Sequence, residues 1–188
     1  MHSHDPSVAY RGRFAPSPTG PLHFGSLIAA LGSFADARAH DGDWLIRIED
    51  LDRPREIPGA GDAILRTLEA MGFEWDGPVI RQSKRTNAYA DALERLRVEG
   101  LTFPCTCSRR DIAQAGIPGA DGLVYPGTCR TRRSPGPFRH SVRLRADVGF
   151  VSFHDRVQGR RTQDIRREVG DFVLRRADGI HAYQLAVI

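Results

Sequence analysis

The segment Arg11–Ser26 constrains the fold of this chain most strongly, because prolines interrupt regular structure in its middle. Proline lacks an amide hydrogen and fixes its own φ, so Pro16–Pro21 is excluded from helix and sheet interiors and forms a stiff loop. Tyr10–Ala15 can form a short buried strand before it, and from about Leu22 apolar residues recur at helical spacing. We therefore predict a strand, a rigid loop and a helix N-terminus. The apolar residues with this spacing are Leu27, Ile28, Leu31, Phe34 and Ala35.

The N-terminus of the predicted helix has the properties of a phosphate-binding site. Its free N–H groups and the positive end of its dipole suit an anion. A neutral His23, in the first turn, can donate a hydrogen bond to a phosphate oxygen, and Gly25 lets a ligand approach the backbone closely. A single histidine beside a loop is more often a plain surface residue. Here the proline loop, the histidine, the glycine and the helix start coincide, so we interpret the segment as a phosphate site.

A second strand is predicted at Trp44–Glu49, after a turn at Asp41–Asp43. A strand, a helix and a strand at this spacing indicate a βαβ unit, and hence an α/β fold with a parallel sheet and a right-handed crossover. Ligands of such sheets bind at the carboxyl ends of the strands, where Glu49–Arg53 is placed. Its charges form either a solvated turn or a polar substrate site, and taken alone they favour the turn.

Further helices and strands follow along the chain. Helices are predicted within 57–71 and, capped by Thr86, within 86–99. Thr162 is expected to cap a short helical or irregular piece, and the Asp-Gly pair in Ala177–Gly179 predicts a hairpin. The predicted strands, of which the last two form that hairpin, are Val79–Gln82, Leu101–Phe103, Ser141–Leu144, Val148–His154, Asp171–Arg175 and Ile180–Val187.

The three cysteines of the chain lie in a segment of changed composition that begins at Cys105. One residue separates Cys105 from Cys107, and Cys129 follows in a glycine-rich turn. An odd number of cysteines at this spacing argues against a disulfide framework and favours a metal site in a reduced cytoplasm. Structural zinc takes four ligands, so His140 or, as a rarer phenolate ligand, Tyr125 would complete the set. The alternative is three buried thiols without a metal.

The charge balance permits a polyanionic partner without requiring one, since the net charge is +4. Arginines cluster after Cys105, where they form either a solvated face or a patch for nucleic-acid phosphates. These arginines are Arg109, Arg110, Arg130, Arg132, Arg133 and Arg139. The chain has no long apolar run and Met1–Val8 is polar, so we expect neither a transmembrane helix nor a secretory signal.

The segment Arg13–Gly20, together with His23–Ser26, resembles the HIGH-motif region of class I aminoacyl-tRNA synthetases, and specifically their glutamyl and glutaminyl branch. The match departs at Phe24 and at Ser26, where the motif has its second histidine. The resemblance implies a Rossmann-like catalytic fold and the ATP-dependent activation of L-glutamate, with Mg²⁺ accompanying ATP. It also implies transfer of the glutamyl group to a hydroxyl of a tRNA.

The same resemblance implies roles for individual residues. Glu49 would hold the substrate amino group, Arg13 would pair with a substrate carboxylate in bidentate fashion, and Tyr183 would lie beside the substrate. His23 would be the catalytic residue. The residues implied to bind L-glutamate are Arg13, Phe14, Ala15, Pro16, Ser17, Glu49 and Tyr183. Those implied to bind ATP are Pro16, Thr19, Gly20, His23, Gly25 and Ser26.

The Cys-x-Cys…Tyr-x-x-x-Cys pattern is similar to the connective insertion of the branch that acts on queuosine in tRNA(Asp). This implies that Cys105, Cys107, Tyr125 and Cys129 hold a structural Zn²⁺. It also implies that the acceptor is the cyclopentene-diol of queuosine rather than a terminal adenosine. We assign residues 1–104 to the first half of the nucleotide-binding domain, 105–140 to the zinc-binding insertion and 141–188 to the return to the catalytic sheet. A cytoplasmic monomer is expected.

No lysine-rich KMSKS-like loop is present, and the chain ends inside a predicted strand at Ile188. We therefore expect it to cover only part of the family's catalytic unit, without an anticodon-binding domain. Two alternatives remain open: the catalytic domain of an ordinary glutamyl-tRNA synthetase, and an inactive, zinc-stabilised RNA-binding fragment. The spacing from Tyr125 to Cys129 and the segment Arg55–Ala60 argue against the first alternative.

Overall fold

A computed structural model describes residues 9–120, 122–132, 134, 136–137 and 139–187. The chain divides into two compact units, Met1–Thr86 and Asn87–Ile188, and each is described by itself. The boundary predicted at residue 104 lies inside the second unit. The predictions that concern Met1–Val8, Arg133 and Ile188 lie outside the described residues.

The first unit contains a three-stranded parallel sheet with the order β1-β2-β3. The predicted βαβ unit is confirmed, since α1 connects β1 to β2 and these two strands are parallel. Short 3₁₀ turns at Arg53–Arg55 and Gln82–Arg85 precede α2 and α3. The elements of this unit are β1 (Arg11–Phe14), α1 (Phe24–Ala39), β2 (Asp43–Ile48), α2 (Ala60–Ala70), β3 (Ile80–Arg81) and the first residue of α3 (Thr86–Val98).

Small residues allow α1 to pack closely on β1. A Cβ added to Gly12 would lie 2.8 Å from the carbonyl oxygen of Ser33, so the strand and the helix backbone are almost in contact there. Ala30 and Ala37 of α1 are fully buried against the sheet. The buried Trp44 of β2 donates a hydrogen bond from Nε1 to Ser33 Oγ at 2.9 Å and so joins β2 to α1.

The apolar face predicted for α1 is wrong in part. Ile28 and Leu31 are 55% and 56% exposed, while Leu27 and Phe34 are half-buried. Ala30, Ser33 and Ala37 face the sheet, and they lie on the opposite side of the helix from Ile28 and Leu31. The close approach at Gly12 explains this, because it admits only small side chains between the helix and β1.

The second unit is built from antiparallel strands. One sheet has the order β10-β7-β4, and two separate hairpins pair β5 with β6 and β8 with β9. A π-helical turn at Ile165–Val169 follows β9. The elements are β4 (Thr102–Cys105), α4 (Arg109–Ala115), β5 (Ile117–Gly119), β6 (Gly122–Val124), β7 (Ser141–Leu144), β8 (Phe150–Asp155), β9 (Gly159–Asp164), β10 (Val173–Arg175) and α5 (Tyr183–Ala186).

The hairpin predicted at Ala177–Gly179 is confirmed only in a short form. Arg175 and His181 form an antiparallel bridge across the Asp-Gly turn, and the N–H of Ala182 donates to Leu174 O at 2.8 Å. The strand predicted at Ile180–Val187 is wrong beyond this point, and β10 pairs with β7 instead. Tyr183–Ala186 then forms a short helix, in which the buried Leu185 and Ala186 supply the core contacts that a strand was expected to make.

Thr162 is a strand residue and does not cap a helix. It pairs with Ser152 across the β8–β9 hairpin, and their hydroxyl oxygens lie 2.8 Å apart. The strand β9 has the sequence GRRTQD and is mostly exposed, so apolar alternation gives no sign of it. Within the described part of the chain, no helix is both long and apolar enough to cross a membrane.

Candidate functional site

Hydrogen bonds to two of its carbonyl groups hold the proline loop of the first unit in place. The N–H of Glu49, just after β2, donates to Pro16 O at 3.0 Å, and the N–H of Ile57 donates to Pro18 O at 2.9 Å. Pro16 and Pro18 are buried, whereas Ser17 between them is exposed. The loop therefore presents hydroxyl groups outward from a fixed backbone, which suits a binding surface that does not reorganise.

His23 is the N-cap of α1, one position before the first turn in which it was predicted. Its Nδ1 accepts from the backbone N–H of Ser26 at 3.2 Å, so in the neutral ring the proton lies on Nε2. Nε2 is 3.1 Å from Ser26 Oγ. The imidazole is exposed, and its Nε2–H is a donor that an oxygen of a ligand can take over from the serine hydroxyl.

The loop and the start of α1 line a single cavity of about 670 Å³. A Cβ on Gly25 would come within 3.2 Å of the His23 ring, so the glycine leaves room for the histidine to lie over the helix end. Arg13 is exposed on β1 and is not among the residues that line this cavity. The predicted site residues that line it are Phe14, Ala15, Pro16, Ser17, Thr19, Gly20, His23, Gly25 and Ser26.

Glu49 lines a neighbouring cavity of about 220 Å³, which shares Ser17 and Thr19 with the larger one. The Glu49 carboxylate accepts from Arg47 Nη2 at 2.8 Å. The exposed fractions of the two side chains are 10% and 5%, so this ion pair is largely shielded from water. Since a carboxylate offers about four acceptor positions, Glu49 retains capacity for a second, cationic partner in the cavity.

The other acidic residues after β2 have separate functions. Asp50 is buried, and its carboxylate accepts from the backbone N–H of Ser83 at 2.8 Å and from its hydroxyl at 2.6 Å. It thereby fastens the end of β2 to the 3₁₀ turn before α3. Asp52 pairs with the exposed Arg55. The charged segment after β2 is therefore partly structural and partly a cavity wall.

Tyr183 lies in the second unit, at the start of α5, and is 60% exposed. Its implied place beside the substrate stays a prediction. Arg47, a buried arginine near the end of β2, was not among the predicted site residues. A single arginine within an apolar strand was the available signal, because a buried charge requires a partner.

The three cysteines converge in the core of the second unit. Their sulfur atoms all lie within 4.8 Å of one another, with Cys107 and Cys129 at 3.6 Å. The Tyr125 hydroxyl is 3.4 Å from Cys105 Sγ and 3.5 Å from Cys107 Sγ. These residues are up to 24 positions apart in the sequence, and β4, β6 and the turn after Val124 bring them together.

Three distances within this group are close to those expected in a tetrahedral zinc site. With Zn–S bonds of about 2.3 Å and a Zn–O bond of about 2.0 Å, sulfurs are about 3.8 Å apart and sulfur and oxygen about 3.5 Å apart. The distances from Tyr125 to Cys105 and Cys107 agree with the second value. His140 is not part of this group and lines a different cavity.

The pKa values of three side chains in this cluster are shifted, in different directions. Burial raises the pKa of Tyr125 far above its ordinary value, and hydrogen bonds with Cys105 and Cys107 add to the effect. Burial also raises the pKa of Cys107. At Cys129 burial opposes ionisation, but hydrogen bonds from the Thr106 backbone and the Tyr125 hydroxyl outweigh it and lower the pKa to about 6. A metal ion bound by these groups would replace the protons of its thiol and phenol ligands.

Arg143 packs against Tyr125 of the same cluster. Its guanidinium carbon lies 4.0 Å from the centroid of the Tyr125 ring, and its Nη1 donates to Asp171 O at 2.8 Å. The guanidinium packs on the face of the ring and so holds the tyrosine in place. Arg143 was not predicted, although a charged residue inside a strand pattern was the sign of it.

The predicted arginine cluster is not uniform. Arg130 forms ion pairs with Asp147 and Asp171, so it is part of the structure rather than of a free basic face. Arg132 donates from Nη1 to Thr106 Oγ1 at 2.7 Å. Arg109 and Arg110 are exposed at the start of α4. Arg130 is therefore structural, whereas a phosphate-binding patch stays a prediction for the exposed arginines.

Comparison with known proteins agrees with this fold. Residues 9–117 match the family model described as tRNA synthetases class I (E and Q), catalytic domain. The match covers more than half of the chain, and the chain belongs to this family.

Among curated proteins, the chain is 61% identical over 181 residues to the glutamyl-Q tRNA(Asp) synthetase of Dechloromonas aromatica, covering 95% of this chain and 60% of that protein. The protein of the same name from Chromobacterium violaceum is 58% identical, with 97% and 61% covered. The chain thus spans about three fifths of the length of these relatives. A crystal structure of a glutamate tRNA ligase from Elizabethkingia meningosepticum, in complex with its amino acid, matches with a TM-score of 0.80 at 25% identity, covering 96% of this chain and 41% of that one.

Proposed function

We propose that this chain is part of an enzyme that activates L-glutamate with ATP and transfers the glutamyl group to queuosine in tRNA(Asp). The observation that carries the proposal is the pair of adjoining cavities in the first unit. One places His23 and the N-terminus of α1 beside the hydroxyls of a fixed loop, and the other presents the carboxylate of Glu49. The names of the curated relatives support the choice of substrate and acceptor.

The two cavities suit the two substrates of activation. Phosphates of ATP, with Mg²⁺, would lie at the start of α1, where free N–H groups and the His23 donor meet an anion. The ammonium group of glutamate would lie at Glu49, with Arg13 contributing to the same substrate. In this reaction the glutamate carboxylate attacks the α-phosphorus and pyrophosphate leaves, so positioning and charge stabilisation supply most of the catalysis.

Zinc in the second unit would be structural. The donor set of three thiolates and one phenolate would fill all four positions, with Cys105, Cys107, Tyr125 and Cys129 as ligands, so no position would be left for a reacting water. The sulfur-to-oxygen distances of 3.4 and 3.5 Å support Tyr125 as the fourth ligand. The segment 105–140 would then be an insertion held together by its metal.

Glutamate-dependent exchange of labelled pyrophosphate into ATP tests the activation step. We expect exchange with L-glutamate and none with L-aspartate, because the shorter acid does not span the same contacts. Binding of a non-hydrolysable glutamyl-adenylate analogue is measured in parallel by calorimetry, since it requires the cavities but no turnover. Absence of both exchange and analogue binding would overturn the assignment of the site.

The acceptor is tested separately, because two solved structures with this fold are named as a glutamate tRNA ligase and a glutamate-tRNA synthetase. Activated [¹⁴C]glutamate is offered to tRNA(Asp) with queuosine, to tRNA(Asp) with guanosine at that position, and to tRNA(Glu). Labelling of the first alone supports the queuosine reaction. Labelling of tRNA(Glu) identifies an ordinary glutamyl-tRNA synthetase domain, and RNA binding without activation identifies the zinc-stabilised binding fragment.

Replacing His23 separates its cap function from its proposed contact with phosphate. His23→Ala removes the cap of α1 and should lower the free energy of unfolding by about 1 kcal/mol. His23→Asn restores a capping oxygen, so its stability should equal that of the parent, yet it lacks a ring N–H. We expect exchange to fall about tenfold to a hundredfold in both, as for loss of a hydrogen bond to a charged group. A fully active Asn variant would leave His23 as a cap alone.

A further inference from the structure

A third cavity, of about 510 Å³, lies within the second unit, and no cysteine lines it. Its walls come from α3, β4, β7 and the segment from Arg175 to His181. The volume falls within the range of about 300–1,000 Å³ that is typical of small-molecule sites and exceeds the needs of a single inorganic anion. None of the roles assigned above uses this cavity.

The charge of its walls is strongly unbalanced. Four arginines line the cavity against one carboxylate, that of Glu94, which forms a bidentate pair with Arg97. The three arginines that remain, Arg132, Arg145 and Arg175, are not paired with this carboxylate. Such a concentration of positive charge at one concave surface attracts an anion.

The arginines also keep donors available for a ligand. Arg132 uses Nη1 on Thr106, and Arg145 uses Nε on Gly100 O at 3.1 Å. Arg175 also lines the cavity, and its buried Nε has no hydrogen-bond partner among the described residues.

Apolar side chains also line the cavity. They include Leu93 of α3, Pro104 of β4, Val142 of β7 and the buried Phe103. The guanidinium of Arg145 lies 5.2 Å from the centroid of the Phe103 ring. A ligand with an anionic end and a flat, weakly polar end would match both kinds of side chain.

We propose that this cavity binds a phosphorylated nucleoside, with its phosphate on Arg132, Arg145 and Arg175 and its base against Leu93, Pro104 and Val142. The unit can come from a single-stranded segment of RNA or from a free nucleotide, which share this chemistry. His181 adds a neutral imidazole, because burial and then the charge of Arg175 lower its pKa. The inference does not depend on glutamate activation.

Two binding assays on the purified chain test the proposal, without glutamate or ATP. Fluorescence anisotropy follows a labelled single-stranded oligoribonucleotide, and calorimetry follows AMP. Arg132→Gln removes an exposed charge at the cavity rim, and Arg175→Gln removes the buried donor, with Arg175→Lys as the variant that keeps the charge. Arg160→Gln, an exposed arginine of β9 outside the cavity lining, is the matched control.

We expect Arg132→Gln to weaken binding at least about tenfold, and to reduce the slope of log K against log salt by about 0.7 for the RNA. Arg160→Gln should leave both unchanged. An effect on the oligoribonucleotide identifies RNA as the source, and an effect on AMP alone identifies a free nucleotide. The proposal is overturned if neither ligand binds, or if Arg132→Gln and the Arg175 variants bind both ligands as the Arg160→Gln control does.

Discussion

Replacing Cys105 by serine is expected to remove zinc from the second unit and to destabilise the segment around it. Cys105 is 1% exposed and packs with Phe103, Tyr125 and Cys129, so the metal would be the centre of this small core. Structural zinc contributes about 10–16 kcal/mol of apparent binding free energy in small domains, because the ligands rarely converge in the unfolded chain. We expect a zinc content near one per chain in the parent, and near zero in the variant, by plasma mass spectrometry after chelator-free purification.

Two further variants identify the fourth ligand. Tyr125→Phe keeps the ring under Arg143 and removes only the oxygen, so zinc affinity should fall by at least about tenfold. His140→Ala is the matched control and should retain the parent's affinity, measured by competition with a chromogenic chelator. A parent protein without zinc would eliminate the metal site. Retention by Tyr125→Phe and loss by His140→Ala would exchange the roles of the two residues.

Replacing Glu49 by glutamine is expected to have the largest effect on glutamate activation. The neutral amide cannot form a charge-assisted hydrogen bond with the substrate ammonium, which is worth about 3 kcal/mol, or about a hundredfold in kcat/KM. The side chain keeps nearly the same shape, but its ion pair with Arg47 is also lost, so the free energy of unfolding must be measured alongside. Pyrophosphate exchange at varied glutamate concentration provides the kinetic constants.

Glu56→Gln is the control for this experiment, because Glu56 lines the same cavity and has no assigned contact with the substrate. It should leave kcat/KM for glutamate within about twofold of the parent. If both variants lose activity equally, the negative potential of the cavity matters rather than a specific contact. If Glu49→Gln is fully active and stable, Glu49 belongs to the structure of β2 alone.

The sequence predicted the parts of the first unit that depend on neighbouring residues. Prolines at 16, 18 and 21 exclude regular structure whatever surrounds them, and the helix after them begins within two residues of its expected position. The parallel pairing of β1 with β2 followed from the length of the connection between them. The prediction of the last strand was wrong because the Asp-Gly pair specifies a turn but not the conformation of the residues after it.

By itself, then, the sequence determined the β1–α1–β2 unit, the stiff loop and the identity of the cysteine cluster, since chain stiffness, capping and periodicity act over a few residues. Only the tertiary structure decided which face of α1 is buried, that Asp50 holds Ser83 while Glu49 lines a cavity, and that Tyr125 rather than His140 meets the sulfurs. Each of these depends on contacts between residues distant in the chain. Such contacts depend on how closely two backbones approach and on which buried charges must be paired. The spacing of residues along the sequence indicates neither.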